Sequence, residues 1–174
     1  MNLESIESVV RARDAEQLRN IPEADLEAFL VSLFTESDDS NNPPDFDRLM
    51  SLGILTARSG HEEADRPAIR WLLIGPSDKR MDIVCAFLNG LWNRPYRKGP
   101  VSGKRLEQLV AARRGINLDA STEYSYAQAL SQVMRSDVDE TIKEIARAEL
   151  ERIAKQTFQP PLDSLMASLI ERAL

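Results

Sequence analysis

MDIVCAFLNGLW, residues 81–92, decides how the rest of the chain is read. Ile83, Val84, Cys85, Ala86, Phe87, Leu88, Leu91 and Trp92 fall on nearly every side of a helix. A helix apolar all round has no solvent face and belongs at the centre of a core. Ser77 or Asp78 can cap its start. Just upstream, PAIRWLLI (67–74) is closed by Gly75-Pro76. Its length suits a strand or a short buried helix, and periodicity does not choose. No partner strand is evident elsewhere, and a lone strand would leave its backbone groups unpaired, so helix is the reading.

Outward from this hub the chain shows helical periodicity throughout. Residues 3–19 place Leu3, Ile6, Val9, Val10 and Leu18 at near-helical spacing, as in one helix. Pro22 suits the first turn of the next, with a stripe of Leu26, Phe29, Leu30, Leu33 and Phe34. ESDDSNNPP (36–44) reads as a mobile acidic loop. Asn42 and Pro43 then open a short helix carrying Phe46, Leu49 and Met50 that ends near Gly53. Residues 57–66 read as a second mobile loop, and NRPYRKGPVSGKR (93–105) as a third. Helices follow to about Arg114, where Gly115 stops the helix, over about 123–135, and from a capping-box-like start at Ser136 and Asp139 to about Phe158. The last carries Leu162, Leu165, Met166, Leu169, Ile170 and Ala173 on one stripe.

These segments predict an all-α protein, a compact multi-helix domain of about eight or nine helices around 81–92. With 174 residues the chain is expected to be a single domain, 1–174, with any division into two lobes falling near 93–105. No internal repeat aligns in the sequence. One cysteine allows no intramolecular disulfide, and one histidine leaves a Cys/His zinc site short of about four ligands. Glu144, Glu149 and Glu151 do not share a helix face at i,i+3 or i,i+4. No glycine-rich phosphate loop or nucleophile elbow is present, and seven glycines are few. The acidic, amphipathic start lacks the signature of a signal peptide, and no apolar run reaches a membrane span. The expectation is a non-enzymatic protein of the cytoplasm or another intracellular setting, with no cofactor, no metal and no membrane partner.

Charge is the informative feature. The net charge is −6, but residues 1–65 carry 15 acids and 5 bases, and residues 66–114 carry 3 acids and 11 bases. Arg94, Arg97, Lys98, Lys104 and Arg105 cluster beside Trp92 and Tyr96. Phosphates need Lys or Arg at intervals, and an exposed aromatic can stack on an unpaired base. This group is therefore the candidate site for an anionic partner, RNA or single-stranded DNA in its sharp form. The competing reading pairs this segment with the acidic ones, within or between subunits, or with an acidic protein surface. Lys104 and Arg105 lie near a helix start, unfavourable unless an anion offsets them, whereas Arg113 and Arg114 suit a helix end.

Other motifs are weaker. Ala111 and Gly115, flanked by Val110 and Ile116, match the spacing of a DNA-reading helix-turn-helix. Arg114 and Ser121 fall where that motif is apolar, so an ordinary helix stopped by glycine is the reading. Cys85 reads as a core thiol, and His61 with Glu62, Glu63 and Asp65 as a solvated acidic loop. Asp38 and Asp39, between Ser37 and Ser40, would suit acidic docking or phosphorylation if the loop is not merely flexible. Leu162, Leu165, Met166, Leu169 and Ile170 are candidate partner-interface residues, in a homo-oligomer or another complex, if that helix does not dock on its own core.

Overall fold

The computed structural model describes residues 2–174. Among them are ten α-helices and no strand. They are α1 (Leu3–Arg11), α2 (Ala15–Arg19), α3 (Glu23–Asp39), α4 (Phe46–Ser59) and α5 (Asp65–Ile74), followed by α6 (Asp78–Leu91), α7 (Gly103–Arg114), α8 (Ala120–Arg135), α9 (Glu140–Ala154) and α10 (Leu162–Ala173). A 3-10 turn, Glu62–Ala64, leads into α5. The protein is all-α, and PAIRWLLI is helical. No helix is long and apolar enough to cross a membrane.

The boundaries differ from expectation for local reasons. Residues 3–19 form two helices, because Arg13 takes a left-handed backbone (φ 55°) and the Asp14 carboxylate accepts the Gln17 N–H to cap α2. The acidic stretch from residue 36 stays helical to Asp39. Its carbonyl end is met by the Lys79 ammonium, which donates to the Asp38 carbonyl at 2.7 Å, and Arg80 Nε lies 2.7 Å from the Asp38 carboxylate. A cation at a helix C-terminus offsets the macrodipole. α4 is capped by Asp45, not Asn42, and runs through Gly53 to a left-handed Gly60. Ser136 bonds back to the Val133 carbonyl and closes α8, so α9 starts at Glu140 and ends short of Phe158.

Each helix packs on the helix two places along. α2, α4, α6, α8 and α10 make one row, and α1, α3, α5, α7 and α9 make the other. The two rows are joined by α1 with α2, by α3 and α5 with α6, and by α9 with α8 and α10. Hydrogen bonds tie the helices at a similar separation, four of them along the even row and one, from Lys79 on α6 to Asp38 on α3, between the rows. Asn89 to Met50, Lys79 to Asp38, Asp119 to Asp78, Ser125 to Asp82 and Gln132 to Asn89 all span 39 to 43 residues. α6 sits in the middle of its row and also takes contacts from α3 and α5. From Ile83 to Trp92 it is buried throughout.

The closest approach in the stack is between α4 and α6. A Cβ on Gly53 would fall on the Phe87 carbonyl oxygen and 2.7 Å from the Leu91 nitrogen. A Cβ on Gly90 would fall on the Met50 carbonyl oxygen and 2.8 Å from the Ile54 nitrogen. Gly53 is therefore a crossing point, not a helix stop. Backbone meets backbone, and only glycine fits on either side.

Candidate functional site

The centre of the basic segment is a buried acid. Asp65, at the start of α5, is 1% exposed. Its Oδ2 lies 3.3 Å from Trp92 Nε1, which donates to it, and 4.0 Å from Arg97; its Oδ1 lies 3.4 Å from Arg105 Nε. Burial pushes the Asp65 carboxyl above its ordinary range, against the pull of Arg97, the Trp92 N–H and Arg105. Burial likewise lowers the Arg97 guanidinium, against the pull of Asp65 and the neighbouring glutamates. Glu63 adds a second contact to Arg105 at 3.2 Å. These are the anions that offset a cation at the start of α7.

Arg97 and Glu62 shape the loop between α6 and α7. The Arg97 guanidinium donates to the carbonyls of Gly99 (2.9 Å), Pro100 (2.9 Å) and Glu62 (3.0 Å). One oxygen of Glu62 accepts the backbone N–H groups of Lys98 and of Gly99, the latter at 2.7 Å. The acidic stretch 61–65 is thus the counter-charge of the basic loop, not a solvated cluster. His61 Nε2 bonds the Leu18 carbonyl at 2.9 Å. No group of three or more potential metal-ligating side chains occurs among the described residues.

Three of the candidate anion-binding residues are consumed by this arrangement. Trp92 is fully buried, because Asp65 gives its N–H a partner inside the core, so it offers no stacking face. The Arg97 side chain is 4% exposed and that of Arg105 15%. Most of the other cations of the basic segment pair at home too. Arg66 and Arg70 meet Glu27, Arg80 meets Asp38 and lies 4.3 Å over the Trp71 ring, and Arg113 reaches Glu123 at 2.6 Å. Arg114 lies 3.8 Å from Glu149.

Arg94, Lys98 and Lys104 remain exposed, with no side-chain ion pair among the described residues. Two cations that the sequence reading passed over join them. Arg58 lies 5.8 Å over the ring of Tyr96, which is 38% exposed. Arg135 is exposed at the end of α8, where its carbonyl accepts from Arg94 Nη1 at 3.3 Å. Neither is close to Arg94 in sequence, and only the fold brings them to it.

The terminal helix docks on its own chain. Met166 and Ile170 are buried as α10 packs on α8 and α9, so they are not free to meet a partner. Leu162 and Leu169 are half-buried, and Leu165 is 48% exposed. The helix-turn-helix spacing at Ala111 has no matching geometry. α7 packs on α5 and α9, while α8 packs on α6, α9 and α10. Cys85 is buried in α6, and burial raises its thiol pKa well above the ordinary value. Ser37 and Asp38, in the acidic docking candidate, are held by the Leu33 carbonyl and by Arg80.

No protein-family model matches the chain, and no curated protein or solved structure matches it either.

Proposed function

We propose that this protein is a non-enzymatic adaptor or assembly subunit, and that it binds an acidic protein surface through Arg94, Lys98 and Lys104 together with Arg58 and Arg135. The observation that carries the reading is selective pairing. The other arginines of residues 66–114 pair with carboxylates and Lys79 with two carbonyls, whereas Arg94, Lys98 and Lys104 are exposed without an ion pair, as are Arg58 and Arg135 outside that segment. Arg94 meets the end of α8 at Arg135, and Arg58 lies over Tyr96 two residues further on; exposed cations gathered on an acidic molecule speed and orient encounter with an opposite charge.

A nucleic-acid ligand finds less here. Trp92 is withdrawn into the core, and Tyr96 already carries Arg58 over its ring. A net charge of −6 opposes a phosphate backbone at long range. The test titrates labelled polyglutamate and labelled single-stranded RNA with the protein at about 50 and 200 mM salt. Polyglutamate should bind and weaken with salt, and the Arg94→Glu, Lys98→Glu double variant should abolish it. Arg97 is left intact, because it holds the loop. Tighter binding of RNA would return the site to nucleic acid, and binding of neither would refute the reading.

A further inference from the structure

Two exposed charged surfaces lie at opposite ends of the same helices. α4, α6 and α8 run in parallel. At one end the Lys79 ammonium, at the start of α6, donates to the carbonyls of Asp38 and Ser40 just ahead of α4. There too the Asp119 N–H, at the start of α8, donates to the Asp78 carboxylate. At the other end Arg58, in the last turn of α4, lies over Tyr96 beyond the end of α6, and Arg94 reaches the Arg135 carbonyl at the end of α8. This second end is the basic surface described above. Asp137 and Asp139, exposed in the turn after α8, border it beyond Arg135, so Arg58, Arg94 and Lys98 are its least opposed cations. The first end is the corner where α3 turns into α4, and it is acidic.

Part of that acidity is spent at home. Asp38 pairs with Arg80, Asp45 accepts the Arg48 N–H, Asp78 accepts the Asp119 N–H, and Asp119 accepts the Thr122 N–H. Glu36 and Asp39, one turn apart on α3, and Asp47, in the first turn of α4, are exposed and form no ion pair among the described residues. Arg48 is exposed beside Asp47, but the corner stays acidic by count. The tip between the helices, residues 41–43, is exposed and uncharged. Asp47 and Arg58 belong to the same helix and stand about 16 Å apart along it, at 1.5 Å per residue. That is about twice the screening length at physiological salt. The two surfaces therefore do not pair within one molecule, and between two molecules they can.

We propose that the acidic partner is a second copy of this chain, with Glu36, Asp39 and Asp47 of one molecule seated on Arg58, Arg94 and Lys98 of the next. The inference rests on the acidic-partner reading above and names the partner. It stands on two independent observations: unpaired cations at one end, and unpaired carboxylates at the other end of the same helices. Such a contact is heterologous. It uses a different surface on each copy and leaves one of each free, so association runs on into rings or open chains and does not stop at a dimer. Exposed ion pairs are individually weak and screened by salt, so the contact needs several at once and loosens as salt rises.

The test is sedimentation of the full chain at about 200 μM, in about 50 and 200 mM salt. The parent should form species larger than a dimer at low salt and return to the monomer at high salt. Polyglutamate, which takes the same cations, should disperse them. Arg94→Glu with Lys98→Glu, and Asp39→Lys with Asp47→Lys, should each be monomeric and keep the parent's circular dichroism. Mixed one to one, the two variants should associate again, because the unaltered acidic end of one meets the unaltered basic end of the other. Two proteins that had merely lost their fold would not recover in this way. If the acidic-end variant associates like the parent, or the mixture stays monomeric, the corner is not the partner's surface and the contact is wrong. If the parent is monomeric in low salt but binds polyglutamate, the partner is not a second copy and the surface reading stands. If it neither associates nor binds polyglutamate, both are wrong.

Discussion

The crossing of α4 and α6 can be tested by adding a single methyl group. In Gly90→Ala the new Cβ would overlap the Met50 carbonyl oxygen and lie 2.8 Å from the Ile54 nitrogen and 2.9 Å from the Met50 carbonyl carbon. Ordinary contact is at about 3.5–4.0 Å, so the helices must part by roughly 1 Å. The obstacle is backbone, which cannot turn to another rotamer. A gap of about 0.5–1 Å forfeits a quarter to a half of each dispersion contact along the seam, where Leu49, Leu52, Phe87 and Leu91 are buried. Overpacking costs about 1–3 kcal/mol and sometimes more, and this site falls at the upper end. Alanine's better helix propensity returns about 1 kcal/mol. The net loss is about 2 kcal/mol or more, or roughly 4–8 °C in Tm for a chain of this length. Thermal unfolding followed by circular dichroism reads it. Gly115→Ala is the control. Its backbone is right-handed (φ −88°), and its Cβ would sit 3.6 Å from the Ala112 carbonyl oxygen, an ordinary contact. Its Tm should be unchanged or higher. A Gly90→Ala protein that melts at or above the parent would refute the close crossing.

Two further outcomes follow from the pairing and the core. Glu62→Ala removes the carboxylate that accepts the Lys98 and Gly99 amides, so hydrogen exchange at those two amides should accelerate while that of α6 stays near the parent's. Equal exchange in both proteins would mean that Glu62 does not hold the loop. The Cys85 thiol is buried and its pKa is raised, so a thiol reagent at about pH 8 should label the native protein at least a thousandfold more slowly than the denatured chain. Labelling at comparable rates would place the thiol at the surface.

The helical class and the central role of α6 were legible because they depend on local pattern. A run apolar on every side has one destination, and the absence of a partner strand settled PAIRWLLI. What escaped the sequence depends on residues about forty positions away. Gly53 looked like a helix end because the backbone that passes beside it belongs to Gly90. The acidic stretch at 36–39 looked like a loop because its cations, Lys79 and Arg80, come from the next helix pair. Trp92 reads as packing more readily than binding, yet as the tryptophan nearer the surface, because the Asp65 that takes its N–H reads as part of a solvated loop. The stack itself escaped because the residues that join its helices, Met50, Asn89 and Gln132, belong to no pattern the sequence repeats. Charge counting marks the basic stretch but not which of its cations are spent. That depends on where the carboxylates of residues 27, 38, 62, 63 and 65 fold back.

Because each helix leans on the helix two places along, cooperativity in this protein has a direction. Stability along such a stack is close to a sum of local terms and nearest-neighbour couplings, as in a one-dimensional chain of spins. The α5–α6 pair is coupled on both sides, and its α4–α6 junction is the closest in the molecule. The α1–α2 pair has a neighbour on one side only, in α3 and α4, and α2 is five residues long. Opening should therefore begin at the ends and reach the middle last.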